Sequence, residues 1–443
     1  MASKIKPIIY ILIEVAEREL ESKLLTALFL VKKGFHVILG QQWVLTGNRE
    51  SLPTGTFLFK GMNKIHADVM ADVRQSGHIV VAMEEELIGY CMDLPEYYDL
   101  RDYYHVVATQ QHCQLFLAAN ASEMRIVKQL MPDLDVRLTG NPRTDCLRPE
   151  LVSIYDPVIG GISETTSSGY ILINTNFGVL NSRHSHKVFS DIQESISPKD
   201  EGWVKRYKKR VNAETQWETY NMKSTFQLIG LFGRHSPNQM VLVRPHPAEN
   251  VNTYTRFTSK YPNIELADSQ DSSRPWILAS DILVHTGCTT GAEAVAMNHP
   301  TISIQEKGSE LIRFLTSNNV SYLTYTAKEA YHAVQDFYAG KLKLGDASKL
   351  KELWPAQEGK FAAERIADEI HQFYLRLEGS FKGLTSVSVQ FRELILTDFE
   401  KQKMDVEFPW IEHRLRQMYE LLPNVPPVKL DKISRNVFYI SPV

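Results

Sequence analysis

Cysteine is scarce and unpaired in this sequence. Cys91, Cys113, Cys146 and Cys288 share no short repeated spacing, which excludes a zinc-type cluster and a disulfide framework and fits free thiols in a reducing compartment. Long apolar runs are also missing. The run at residues 8–13 stops at Glu14, too short for a signal segment and far from the ~20 residues of a membrane span. Any membrane contact is therefore expected to be peripheral, and the expected location is the cytoplasm, up to the inner face of the plasma membrane. Positive charge is not in surplus: 49 Lys and Arg stand against 52 Asp and Glu, a net charge of -3, which argues against nucleic acid as a main ligand. There is no short-period repeat and no low-complexity tract.

What is present is an ordinary globular composition, 43% hydrophobic and 23% charged over 443 residues, long enough for two sizeable domains. Apolar runs alternate with helical patterns. A strand at 8–13 precedes a helix at 14–33 and a second strand at 37–39. Strands at 56–59, 78–83, 105–108 and 136–138 then interleave with helices at 65–75 and 119–130. This is the β-α-β rhythm of a parallel sheet. Residues 156–168, rich in Gly, Ser and Thr, read as the interdomain linker. A second wave follows, with strands at 170–174, 241–244, 263–266, 282–285 and 301–304, a long helix at 203–233, a helix at 291–297 and an amphipathic helix at 361–377. Two doubly wound units imply a cleft at the C-terminal ends of both sheets, where such folds bind ligands.

The most informative stretch is His285-Thr286-Gly287-Cys288-Thr289-Thr290-Gly291-Ala292-Glu293-Ala294, where an apolar strand turns through two glycines and two threonines into a helix. Free N–H groups and hydroxyls aimed at one spot make an anion site, with Glu293 placed to reach ribose hydroxyls. A plain capping turn would need only one hydroxyl. Arg244-Pro245-His246-Pro247 follows another strand and puts a guanidinium and an imidazole at the same edge, suited to stabilising a departing phosphate without a metal. No Asp-x-Asp stands at a credible strand end, so no metal or other cofactor is expected. Asn174-Thr175-Asn176-Phe177-Gly178 suits a phosphate or sugar contact as well as a simple turn.

In the first half, a strand runs into Glu84-Glu85-Glu86, followed by Gly89; mutual repulsion there would raise one carboxylate toward the range of a general base. Arg18, Glu19 and Lys23 on the first helix read either as a surface salt-bridge face or as contacts to an acceptor or donor carboxylate. Gly140-Asn141-Pro142-Arg143 reads as substrate contact or hinge turn. The aromatic and charged tail, 379–443, suits packing against the first domain or a membrane surface.

Taken in order, Gly140-Asn141-Pro142-Arg143, Asn176-Phe177-Gly178, Arg244-Pro245-His246-Pro247 and the 285–294 turn resemble the bacterial surface-carbohydrate biosynthesis proteins of the GT-B glycosyltransferase fold, over roughly the first three quarters of the chain. More distantly the chain is similar to transferases using CMP-sialic acid or CMP-Kdo, which carry an acidic motif with a glycine in one domain and a His-Pro motif in the other. The resemblance implies an α/β, GT-B chain of two Rossmann-like doubly wound parallel-sheet domains facing a central cleft. Residues 1–160 would bind a saccharide or glycolipid acceptor and 161–378 the nucleotide sugar, with 379–443 packing back on the first domain. It further implies inverting, metal-independent transfer of an acidic sugar from a CMP donor. Glu85 or Glu86 would act as base, His246 and Arg244 would sit at the leaving phosphate, Gly287, Cys288, Thr289, Thr290 and Asn176 would hold its oxygens, and Arg18, Asn141 and Arg143 would lie near substrate. The alternatives are a UDP-sugar 2-epimerase or CDP-polyol phosphotransferase on the same scaffold, or a non-catalytic saccharide-binding subunit.

Overall fold

The computed structural model describes residues 7–62, 64–85, 106–166, 169–183, 201–267, 272–306, 315–342, 347–351, 353–354, 359–377, 391–392 and 394–443. Among these, residues up to 154 and from 351 onward form one compact unit, and residues 155–350 a second.

The first unit is built on parallel strands β1 (Ile8–Ile13), β2 (His36–Gln41), β3 (Gly55–Phe59), β4 (Ile79–Met83), β5 (Leu115–Ala118) and β6 (Val136–Leu138). Side chains alternate faces along a strand, so a strand covered on both sides must be apolar throughout. β1 shows this directly: Ile9, Ile11 and Ile13 enter one core while Ile8, Tyr10 and Leu12 enter the other. The second unit holds β7 (Tyr170–Asn174), β8 (Met240–Arg244), β9 (Ile264–Leu266), β10 (Ile282–His285), β11 (Thr301–Ile304) and β12 (Tyr322–Thr324), all parallel. Ile171 and Ile173 of β7 face one layer, Tyr170 and Leu172 the other.

The strand order of the second sheet is β12-β11-β10-β7-β8-β9. The chain starts in the middle at β7, winds one way through β8 and β9, then returns to wind the other way from β10. The loops after β7 and β10 therefore diverge at the carboxyl edge and leave a crevice there. In the first sheet the order is β13-β14-β2-β1-β3-β4-β5-β6, with the corresponding reversal between β1 and β3. The last two strands, β13 (Val428–Ser434) and β14 (Val437–Pro442), form a hairpin whose second strand lies antiparallel on β2. Each unit is thus a Rossmann-like doubly wound layer structure, the pair of domains that defines the GT-B class.

Several local expectations give way. Of the expected linker 156–168, residues 167–168 lie outside the described residues, and Asp156–Thr166 is instead a helix of the second unit, where Ile162 packs with Tyr170 and Leu172. Its Gly160 and Gly161 weaken intrinsic helicity, and packing of the apolar side restores it. The strand expected at 105–108 is not seen at 106–108 either; Val106–His112 is a helix with Val107 exposed, and the adjacent strand is Leu115–Ala118. Short apolar runs look alike in the two states.

The helix Ala362–Arg376, expected either to close the second domain or to cross back to the first, lies in the first unit. Ala363, Ile366, Ala367, Ile370 and Phe373, at helical spacing, join the core beneath Ala16–Lys32. The carboxylate of Asp145 accepts from the N–H groups of Ala362 and Ala363 at 2.9 and 2.8 Å and caps that helix from outside its own sequence. In the tail, Met404, Ile411, Leu415, Met418, Phe438 and Ile440 enter the same core.

Candidate functional site

The two motifs of the second unit meet the same sheet edge. β7 stands between β10 and β8, so the 286–290 turn and the Arg244-Pro245-His246-Pro247 loop leave the carboxyl edge two strand spacings apart, about 10 Å. The crevice between β10 and β7 lies beside the turn.

The turn is braced from below. His285, 1% exposed, accepts from the N–H of Gly287 on Nδ1 at 2.9 Å and meets the hydroxyl of Ser321 at Nε2 at 2.9 Å. Burial pushes its pKa down to about 3, so the ring is a neutral strut. Gly287 has φ 88°, a left-handed conformation that costs glycine nothing. The helix Thr289–Ala296 then starts with Cys288 as its N-cap residue. Gly291 lies flat on the imidazole, since a Cβ there would sit 2.2 Å from Nε2.

The loop after β7 supplies the opposite wall. Asn174 donates from Nδ2 to the hydroxyl of Thr290 at 3.2 Å, and Asn176 accepts from the hydroxyl of Thr286 on Oδ1 at 2.8 Å. That leaves Oδ1 of Asn174 and Nδ2 of Asn176 buried without a partner among the described residues, although Asn176 is only 9% exposed. Buried amide groups are nearly always paired, so an unmet donor beside a helix N-terminus points to an absent acceptor. The Thr289 side chain is half-buried at the helix start, while the Thr290 hydroxyl is engaged by Asn174 and by the Cys288 thiol. Burial raises the Cys288 pKa and keeps it a thiol. Glu293 is buried and stands 3.7 Å from the Arg274 guanidinium, which in turn donates to Tyr155. It lies one residue beyond the first helical turn rather than within it.

Arg244 is buried opposite Asn174 in the β7–β8 register, and His246 is exposed. The His246 Nδ1 accepts from the N–H of Ala248 at 3.1 Å, which places the neutral ring's proton on Nε2. Glu249, absent from the sequence reading, organises this loop: buried, it accepts from the His246 N–H at 3.0 Å, Thr175 at 2.7 Å, Asn181 at 3.2 Å and Tyr254 at 2.5 Å. An acidic residue three positions after His246 is the spacing that lets a side chain reach back to that N–H, and it was the available signal. Thr175 and Glu249 thus connect the Asn174/Asn176 wall to His246.

In the first unit, Glu85 is 1% exposed and ion-paired with the buried Lys23, with its Oε2 buried and without a partner among the described residues. The mutual repulsion expected of 84–86 is replaced here by pairing. Glu86 and Gly89 lie outside the described residues. Lys60, directly after β3, donates to Glu14 and Glu19, each at 2.7 Å. Burial alone would raise the Glu14 pKa, but the Lys60 and Lys403 ammoniums hold it at about 2. These charges gather at the carboxyl ends of β1, β3 and β4, across the reversal point of the first sheet. Of the first-helix trio only Arg18 is exposed, whereas Glu19 and Lys23 turn inward and are no surface face. Asn141 caps the short helix Pro142–Asp145 through the Arg143 N–H at 3.0 Å, and Arg143 reaches the Glu85 carbonyl at 3.4 Å. Both are buried within the first unit.

No protein-family model and no curated protein matches the sequence. Solved structures do share its fold. A Listeria monocytogenes protein assigned as a UDP-N-acetylglucosamine 2-epimerase aligns with a TM-score of 0.52 at 11% identity, over 84% of this chain and 97% of that one. S. aureus MnaA, solved with UDP, gives 0.49 at 12% identity over 87% and 100%. The wall teichoic acid polymerase TagF gives 0.45 at 11% over 85% and 91%. At these identities what is shared is the fold.

Proposed function

We propose that the chain is a nucleotide-sugar enzyme of bacterial surface-carbohydrate synthesis, binding the phosphate of its donor where β7 and β10 diverge. The observation that carries this reading is the buried Nδ2 of Asn176, without a partner among the described residues, on an amide whose Oδ1 is bound by Thr286 of the turn that opens the helix Thr289–Ala296. The N–H groups of the first helical turn, Thr289 and Asn176 would bind phosphate oxygens, and His246 would donate from Nε2 to the departing phosphate, with Arg244 adding positive charge. Asn174 and Thr290 position the turn rather than touch the ligand.

The motif resemblance favours a CMP-linked acidic sugar, Kdo or a nonulosonate, transferred with inversion to a saccharide or glycolipid acceptor without a metal. Glu85, ion-paired with Lys23, would then be the base. The fold likeness to the Listeria protein favours a second reading, UDP-sugar 2-epimerisation. Calorimetric titration with CMP, CDP, UDP and GDP tests the common part: one pyrimidine nucleotide should bind, and Asn176→Asp should weaken it about 100-fold. Aspartate keeps the acceptor for Thr286 and puts a negative charge where the phosphate sits, at a cost of roughly 3 kcal/mol. Unchanged affinity in that variant would sink the site. CMP release from CMP-Kdo against 2-epimerisation of UDP-N-acetylglucosamine decides the reaction.

A further inference from the structure

The 35-residue helix Glu201–His235 carries more charge on one side than its packing requires. Lys205, Lys223 and Arg234 are 18 and 11 residues apart, whole numbers of 3.6-residue turns, and so share one face over about 44 Å. Glu214 lies half a turn out of phase, and both it and Glu218 are buried. Glu218 binds the N–H groups of Val179 and Leu180. Arg256 and Lys260, from the segment that follows β8, extend the positive face. Lys205, Lys223, Arg234, Arg256 and Lys260 are exposed, and none has a carboxylate partner among the described residues.

Four of these cations line a concavity of about 700 Å³ that has no acidic residue in its wall. Gly230 of the helix lines it, and Gly233, one turn on, lies against Tyr261 of its wall. A Cβ at Gly233 would meet the Tyr261 ring at 2.3 Å, and one at Gly230 would meet the Arg234 guanidinium at 3.2 Å. A glycine costs a helix about 1 kcal/mol relative to alanine, and at Gly233 the close approach of Tyr261 accounts for it. The aromatic faces are already occupied: Arg256 lies 4.4 Å over Phe226 and 4.8 Å over Phe257, and Tyr261 lies on Gly233. No ring lining the concavity is left on which a base could stack, which disfavours RNA and nucleotides inside it. The guanidinium edges remain available for phosphodiester oxygens. At the rim, Leu180 and Tyr220 are 37% and 38% exposed, side chains suited to the bilayer interface.

We propose that this face docks on an anionic membrane, with lipid headgroup phosphates seated in the concavity. It takes the place of the 379–443 tail as the membrane-contacting element, because Met404, Ile411, Leu415, Met418, Phe438 and Ile440 of that tail enter the first core. The loop that carries Asn176 reaches Leu180 four residues later, so a bound bilayer surface lies within about 14 Å of chain from the proposed phosphate site. The inference does not depend on which nucleotide that site binds.

Vesicle co-sedimentation of the full chain, without nucleotide, tests it. Vesicles of 40% phosphatidylglycerol in phosphatidylcholine should bind the protein at 0.1 M salt and release most of it at 0.5 M, and pure phosphatidylcholine should not bind. Each cation near the surface contributes about fivefold, so K205E/K223E should lower partitioning at least 25-fold, with melting temperature and nucleotide affinity unchanged. R256Q/K260Q, on the other wall, should give a similar loss. Equal binding to neutral vesicles, or undiminished partitioning of K205E/K223E, overturns the proposal. So does single-stranded RNA that binds more tightly than the vesicles and is lost in the same variant.

Discussion

Gly291→Ala would add one methyl group to the proposed phosphate turn, and the structure says where it goes. The new Cβ would lie 2.2, 2.3 and 2.8 Å from three atoms of the His285 ring, where ordinary contact begins at about 3.4 Å, so ring or helix must give by more than an ångström. The ring has nowhere to go: it is 1% exposed and held at both nitrogens, by the Gly287 N–H and by Ser321. Overpacking costs about 1–3 kcal/mol, and losing those two hydrogen bonds with a polar atom left buried costs about 1–3 kcal/mol more. Better helix propensity returns about 1 kcal/mol. The net is roughly 1–5 kcal/mol, or about 2–20 °C in melting temperature for a domain of this size. The distorted turn should also lose nucleotide affinity by tenfold or more. Gly178→Ala is the control at the same sheet edge, because its Cβ would meet nothing closer than 3.6 Å. Thermal denaturation and calorimetric titration measure both quantities, and a cycle with His285→Ala should show a coupling above about 1 kcal/mol. A Gly291→Ala protein within about 0.5 kcal/mol of wild type, binding nucleotide normally, would refute the close packing on which the turn depends.

Two further outcomes follow from buried groups. His66, His285 and His299 are held neutral by burial, with pKa values pushed down to about 4, 3 and 4. Below pH 6.5 the unfolded chain binds protons that the folded one refuses, so stability is full above 6.5 and falls with acidification. Each ring should contribute about 2 kcal/mol of loss by pH 5, read from urea denaturation, and His299→Gln should remove one such share. Equal stability at pH 7 and 5 would contradict neutral burial. Asp145→Ala removes the cap of the helix Ala362–Arg376 and should destabilise the first unit by about 2 kcal/mol, with faster amide exchange at Ala362 and Ala363; unaltered exchange would mean that the cap is dispensable.

Much of the candidate site was legible because the chemistry is local. A strand, a left-handed glycine, two threonines and a helix lie within ten consecutive residues, and backbone geometry alone aims their N–H groups. The Arg244 to Pro247 loop is readable for the same reason. Glu249 was missed because its role is to bind Thr175, Asn181 and Tyr254, which only folding brings to it. Lys60 was missed because nothing nearby in sequence marks it. Glu19 and Lys23 were misplaced because the sheet edge they turn toward is assembled from β1, β3 and β4.

The alternation of apolar runs and helical patterns by itself determined that this chain folds as two parallel-sheet units, since each pattern matches the period of its element. Whether residues 156–166 would coil or form a helix, which core the 362–376 helix would enter and whether the last strands would extend the first sheet were decided by tertiary structure. In each of these cases the local preference was weak, and burial against a surface distant in sequence outweighed it.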